Sequence, residues 1–313
     1  MELKNKILGG LYGLLVGDAL GVPYEFNPPG TLPGLNAIEF RPPDYFQRSH
    51  EGVPPGTWSD DGAQALCLLA SLLQENRLNA TDLMNRISNW YEAGYMAVDY
   101  KVFDVGVQTA SAIAKYRNGS PASESGGSSE MDNGNGSLMR ALPLALWHQG
   151  DDQELFDFSM EQSKVTHGHA RSLLCCAQYC LWARYELLEG TDAWAKATEV
   201  MRSLLIGNTT LEDEYEYHLR PDDEPEGTGS GYVVDSLRSA RMVVATNGDY
   251  ESTVKAAVAL GHDTDTTACI AGGIAGIRYG FSGIPDRWVG ALRGKELLGP
   301  IQKDLLVHLG LDS

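Results

Sequence analysis

Four glycines at helical spacing constrain this chain most. Gly10, Gly13, Gly17 and Gly21 recur three and four residues apart within "LGGLYGLLVGDALG", while Ile7, Leu8, Leu11 and Leu15 make a second, apolar face. An interior glycine costs a helix about 1 kcal/mol relative to alanine. A stripe of them is expected only where another backbone approaches too closely for side chains. The N-terminal segment is therefore expected to be a helix at the centre of the fold.

The same segment has to be distinguished from a signal peptide, because Lys4 and Lys6 precede the apolar run. Asp18 and the lack of a small-residue cleavage site argue against that reading. The run also falls short of the roughly 20 apolar residues that cross a bilayer, so no membrane partner is expected. A formal net charge of -18 over 313 residues repels a phosphate backbone. No stripe of Lys and Arg interleaved with aromatics offsets it, which excludes general nucleic-acid binding. Five cysteines lack any C-x-x-C pair, and Cys175, Cys176 and Cys180 share one apolar stretch. The expectation is a reduced, cytoplasmic protein without a disulfide framework.

Helical periodicity dominates the rest of the chain. Ala63, Leu66, Ala70 and Leu73 form one stripe, and similar patterns cover 81–93, 104–117, 153–165, 170–189, 192–206, 231–246, 250–260, 266–280 and 296–309. About a dozen helices and few strands predict an all-α class. Three stretches interrupt them. Residues 27–58 carry seven prolines and must be a long ordered loop or flap. Residues 118–137 are polar and flexible, and 212–231 read as a solvated acidic loop. Chemistry-bearing segments lie on both sides of each, which favours one domain over residues 1–313.

Two short segments stand out chemically. "GHDTDTT" (261–267) places Asp263, Asp265 and three threonines before an apolar helix, and "WSDDGAQALCLL" does the same with Ser59, Asp60 and Asp61. On a regular helix Asp263 and Asp265 would diverge by roughly 200°, so they converge only at the turn that enters it. Capping explains one or two such residues. Two matching clusters of hard oxygen ligands would, if they face each other, suit a pair of Mg²⁺ or Mn²⁺ ions. The alternative is two unrelated helix caps. "NGNGSLMRALP" adds a glycine-rich turn, Asn133 to Ser137, of a kind whose backbone N–H groups can bind phosphate; Pro143 starts or kinks the helix beyond it. His167 and His169 in "THGHA" lack the spacing and third ligand of a zinc site. His167 is the better candidate for contacting a ligand.

In order, "GLLVGDALGVPYEF", "WSDDGAQALCLL", "FDVGVQT", "NGNGSLMRALP", "THGHA", "GSGYVVDSLRSA" and "GHDTDTTACIAGGIAGIRYG" resemble the successive segments of the ADP-ribosylglycohydrolase family, which includes dinitrogenase reductase-activating glycohydrolases. The resemblance implies an all-α, single compact orthogonal multi-helix domain. It implies two Mg²⁺ (or Mn²⁺) ions held by Ser59, Asp60, Asp61, Asp263, Asp265 and Thr266. It also implies a catalytic carboxylate at Glu25, with Asp60 and Asp265 in the reaction centre. Asp104, Gly134, Gly136, Ser137, His167 and Tyr232 are the implied substrate contacts. The implied reaction cleaves the glycosidic bond of an ADP-ribosylated protein or other ADP-ribosyl conjugate and releases ADP-ribose, with arginine-linked ADP-ribose as first choice. A non-catalytic ADP-ribose-binding or immunity-type protein and a metal-dependent phosphoesterase are the alternatives, and a monomer is the default assembly. Two positions depart from the family pattern: Ser59 stands where threonine is commoner, and His262 where glycine is.

Overall fold

The computed structural model describes residues 2–188 and 190–312. Met1 and Ser313, the ends of the expected domain, and residue 189, the last of an expected helix, lie outside the described residues. Among the described residues fourteen α-helices follow in order: α1 Leu3–Gly21, α2 Asp60–Glu75, α3 Ala80–Ala93, α4 Val107–Arg117, α5 Leu142–Trp147, α6 Asp152–Lys164 and α7 Ala170–Leu188. The second half comprises α8 Ala193–Leu205, α9 Thr209–Asp213, α10 Val233–Thr246, α11 Tyr250–Val258, α12 Thr264–Tyr279, α13 Asp286–Ala291 and α14 Lys295–His308. Among the described residues the only extended pairing is two isolated bridges, Gly127–His167 and Gly134–Tyr232. The all-α class holds.

Glycine places α1 directly against α12. A methyl group on Gly13, Gly17 or Gly21 would collide with the backbone of Gly272, Ala268 or Asp265, and one on Gly9 with that of Gly276. Gly10, expected in this stripe, faces the side chains of Ile277 and Leu146 instead, and Gly9 takes its place. The helical repeat of 3.6 explains the slip, since 9, 13 and 17 keep one face and 10 rotates off it. Leu8 is likewise only half-buried, whereas Ile7, Leu11 and Leu15 are core. Tyr250 Oη donates to the Gly13 carbonyl at 2.7 Å, and Thr264 Oγ1 to that of Gly21 at 2.8 Å. The contact is thus pinned within its length and at its C-terminal end. The segment Leu3–Tyr24 proves long and apolar enough to cross a bilayer, contrary to the shorter run read from sequence, but 89 % of its apolar window is buried against the protein's own helices.

Other boundaries moved for physical reasons. Helix α4 begins three residues later than expected because Asp104 takes a left-handed conformation with φ of +52°. Helix α12 begins two residues early, with Asp263 at its N-cap position. Pro143 lies in the first turn of α5 and starts it. The acidic stretch 212–231 is not wholly a solvated loop: α9 runs into a π-helical segment, Glu214–Leu219, whose Tyr215 and Leu219 are buried. Tyr215 Oη donates to Gln178 Oε1 at 2.6 Å, and Glu214 and Glu216 pair with Arg171 and Arg202. The i, i+4 apolar pair, hidden among acids, outweighs the local charge. Residues 27–58 form the expected ordered flap, with no helix longer than a single 3₁₀ turn.

Substituting Gly17→Ala should destabilise the protein by about 2–3 kcal/mol, because the methyl has only backbone to displace. Gly30→Ala, where nothing lies within 4 Å, should stay within about 0.5 kcal/mol of wild type. Urea unfolding of the two variants distinguishes them, and equal midpoints would contradict the close-packed interface.

Candidate metal centre and cleft

The first acidic cluster is built by α1. Asp18, fully buried, accepts the Ser59 N–H on both carboxylate oxygens at 2.9 and 3.0 Å and the Gly62 N–H on Oδ2 at 2.7 Å. It thereby ties the first turn of α2 to α1. Ser59 caps α2 by accepting the Asp61 N–H, and its own hydroxyl donates to Asp61 Oδ2 at 3.0 Å. Asp60 turns to the other side and accepts from Gln64 Nε2 at 3.3 Å.

The second cluster enters from α12. Asp263 occupies the N-cap position without making a side-chain cap; its Oδ2 accepts from Asn135 Nδ2 at 2.8 Å instead. Capping alone therefore does not account for this carboxylate, which is held by a side chain 128 residues away. Asp265 Oδ1 accepts from the Thr266 N–H at 2.9 Å. Thr266 Oγ1 lies 3.4 Å from Asp61 Oδ2, across 205 residues of sequence. The two clusters face each other.

Above them lies a cleft of about 240 Å³, whose walls include Glu25, Asp60, Asp104, Gly134, Gly136 and His167 together with Asp263 and Thr266 of the second cluster. His167 is neutral, because burial pulls its imidazole down to about 3. Its Nδ1 engages Thr166 Oγ1 at 2.8 Å and its ring lies beside Gly136. His169 has only a local role, accepting the Arg171 N–H. The glycine turn is less open than its sequence suggests, since the Gly134 N–H already donates to Gln108 Oε1 at 2.7 Å. Ser137 is not on the cleft wall; it is fully buried, with Oγ 2.7 Å from Ser163 Oγ. Tyr232 is 39 % exposed and lines a neighbouring groove, joined to the turn through the bridge with Gly134. His262 is exposed, but its backbone pairs with the flap: Phe26 N–H donates to its carbonyl and its N–H to the Asn27 carbonyl.

Glu25 enters from the end of α1 and is nearly buried. Its Oε2 lies 2.6 Å from His50 Nε2, and oxygens of Glu25 and Asp104 fall within 4.8 Å of each other and of the His50 ring nitrogen. His50 gives no sign in the sequence, because its role depends on a partner 25 residues away. Asp18, a lone carboxylate in the apolar α1, and Gln108 and Asn135, inside the segments that carry the family resemblance, are visible there without their partners.

This many buried carboxylates do not coexist comfortably. Burial, then repulsion from one another, raises Asp60, Asp61 and Asp265 well above the usual carboxylate range. Burial raises Asp18 to about 7 and Asp104 to about 6, and burial followed by the charges of Asp104 and Asp263 raises Glu25 to about 10. Asp61 Oδ1 and Asp265 Oδ2 are buried and have no hydrogen-bond partner among the described residues. One oxygen each from Asp18, Asp61 and Asp265 lies within 4.8 Å of the others, as does one each from Glu25, Asp263 and Asp265. The two groups share Asp265. Orphaned hard oxygens, repelling charges and two adjoining triads fit a pair of divalent cations. Asp18 already accepts three backbone hydrogen bonds, which suits it to holding the ligands in place.

These carboxyls titrate above the unfolded aspartate value of about 3.9. Their contribution favours folding below that value and is lost as pH rises through about 6 for Asp104 and about 7 for Asp18. In chelator, Asp265→Asn should therefore melt higher than wild type at pH 8, with the gap narrowing toward pH 5. Saturating Mg²⁺ should reverse the order at pH 8. A variant that melts lower than wild type in chelator would contradict the repulsion.

The profile of the ADP-ribosylglycohydrolase family matches residues 1–311. The chain is 30 % identical to the ADP-ribosylarginine hydrolase Tri1 of Serratia proteamaculans, over 97 % of this chain and 80 % of that one. It is 28 % identical to the ADP-ribosyl-[dinitrogen reductase] glycohydrolase of Rhodospirillum rubrum, over 93 % and 91 %. A solved structure described as an ADP-ribosylglycohydrolase-related protein complex superposes with a TM-score of 0.78 at 30 % identity, covering 100 % of this chain and 99 % of its own. Helical architecture, facing acidic helix starts and whole-chain similarity agree, and the chain belongs to the ADP-ribosylglycohydrolase family.

Proposed function

We propose that this protein hydrolyses the glycosidic bond between ADP-ribose and a modified acceptor, with ADP-ribosyl-arginine on protein as the substrate. The observation that carries the reading is the meeting of Thr266 and Asp61, which joins the two oxygen clusters directly beneath a cleft walled by the glycine turn. Similarity to an ADP-ribosylarginine hydrolase supports arginine as the acceptor.

Ser59, Asp60, Asp61, Asp263, Asp265 and Thr266 would hold two divalent cations, Mg²⁺ or Mn²⁺. Bound there, the cations supply Lewis-acid stabilisation and a template for the hydroxyls of the distal ribose. The chain's own residues do the rest. Gly134 and Gly136 line the cleft beside the neutral His167, where any side chain would run into Gln108 or the His167 ring, so the backbone itself faces the position proposed for the diphosphate. A substrate oxygen can take the Gly134 N–H only by displacing Gln108. Glu25 and Asp104 adjoin the cluster on the cleft side and orient the attacking water. Once positive charge sits among its neighbours, Glu25 can give up its proton and serve as general base. The water oxygen forms a bond to the anomeric carbon while the bond to the acceptor nitrogen breaks. The water's proton passes to the Glu25 carboxylate, and the departing guanidine nitrogen takes up a proton from solvent as Glu25 returns its own to solvent, so that one water is consumed overall. The crowd of carboxylates favours the oxocarbenium-like charge that develops at the sugar.

Incubation with arginine-, serine- and nucleotide-linked ADP-ribose conjugates tests the reading. Mg²⁺-dependent release of free ADP-ribose from the arginine conjugate is expected, abolished by chelator and by Asp265→Asn. Glu25→Gln should lower kcat by about 10²–10⁴-fold while ADP-ribose still binds. Release of AMP would favour a phosphoesterase, and undiminished release in chelator would refute the metal-dependent mechanism.

A further inference from the structure

Arg140 lies at the bottom of this arrangement, fully buried together with Gln64 and Gln162. Its Nε donates to Gln162 Oε1 at 3.0 Å and Nη2 to the Gln162 carbonyl at 2.8 Å. Nη1 donates to Gln64 Oε1 at 3.0 Å and to the Gly136 carbonyl at 3.3 Å. All four acceptors are neutral. A buried guanidinium ordinarily pairs with a carboxylate, and here the acid is reached through an intermediary. Gln64, its oxygen taken by Arg140, donates from Nε2 to Asp60 Oδ2 at 3.3 Å. Only this orientation of the amide gives Arg140 an acceptor and Asp60 a donor.

On its other side Arg140 governs the turn. It holds the Gly136 carbonyl directly, and Gln162, which it fixes at two points, donates from Nε2 to the Ser137 carbonyl at 3.2 Å. Because a trans peptide points its C=O and N–H in opposite directions, a carbonyl drawn toward Arg140 turns the next N–H away from it. Burial pulls Arg140 down only to about 10, so it remains charged at neutral pH. A permanent positive charge thus sits behind a turn suited to an anion, and one hydrogen-bond step from a cation ligand.

We propose that Arg140 is a positioning residue that locks the Gly134–Ser137 turn and Asp60 into one frame, so that the diphosphate and divalent-cation subsites are set by the same side chain. This rests on the functional reading above. The bridge has two separable arms: Gln64 carries the effect to Asp60 alone, while Arg140 carries it to both.

The test titrates Mn²⁺ into wild type, Gln64→Met, Arg140→Met and Arg140→Lys, then titrates ADP-ribose at saturating Mn²⁺, with unfolding midpoints as a control. Gln64→Met should weaken Mn²⁺ binding about tenfold, the usual effect of losing a partner of a metal ligand. Its ADP-ribose affinity should stay within about twofold of wild type. Arg140→Met should weaken both by about tenfold or more, and Arg140→Lys should recover part of the ADP-ribose affinity through its charge. A purely structural role would not split the two constants. If Arg140→Met does not fold, Gln64→Met decides alone. Wild-type Mn²⁺ affinity in Gln64→Met, or loss of both affinities in step with its stability, would overturn the proposal. A wild-type protein that binds neither ligand would overturn the functional reading, and this inference with it.

Discussion

The site depends on one contact, the side-chain-free packing of α1 against α12. Gly13, Gly17 and Gly21 let the two backbones touch, and the hydroxyls of Tyr250 and Thr264 fasten α1 carbonyls along the seam. Such a contact has little tolerance, because backbone cannot rotate out of the way as a side chain can. Its functional value is positional. Asp18 and Glu25 lie at and just beyond the C-terminal end of α1, beside Asp263 and Asp265 at the start of α12. A rise of 1.5 Å per residue means that a slip of even one residue would separate the carboxylates by a distance comparable to a metal–oxygen bond.

Electrostatics runs against folding in this region. Seven buried or half-buried carboxylates converge, and two of their oxygens have no hydrogen-bond partner among the described residues. The fold moderates the repulsion without removing it. Both acidic clusters sit in the first turn of a helix, where the macrodipole is positive, and Asp18 accepts the N–H of the N-cap Ser59 and that of Gly62 in the first turn of α2. Arg140 contributes a further positive charge through Gln64. What remains uncompensated is negative charge of the kind that divalent cations balance, in a protein whose net charge is already -18.

Much of this was legible before any coordinates. Helical class follows from periodicity alone, and the glycine stripe pointed to a backbone contact, although Gly9 rather than Gly10 belongs to it. The pairing of Ser59, Asp60 and Asp61 with Asp263, Asp265 and Thr266 could be suspected because each group exceeds what capping needs. Long-range partners were not legible. His50 meets Glu25 only because the flap folds back, and Gln108 reaches Gly134 because Asp104 takes a left-handed turn. Ser137 looked like a ligand contact because the sequence cannot say which side of a turn is inside. The segment Glu214–Leu219 was hidden because local charge was easier to read than the burial of Tyr215.

The most direct measurement of the central claim is an anomalous difference map from crystals grown or soaked with Mn²⁺. Density is expected between the first turns of α2 and α12, within coordinating distance of Asp61 and Asp265. Anomalous density confined to other acidic surfaces, with that space empty, would contradict it.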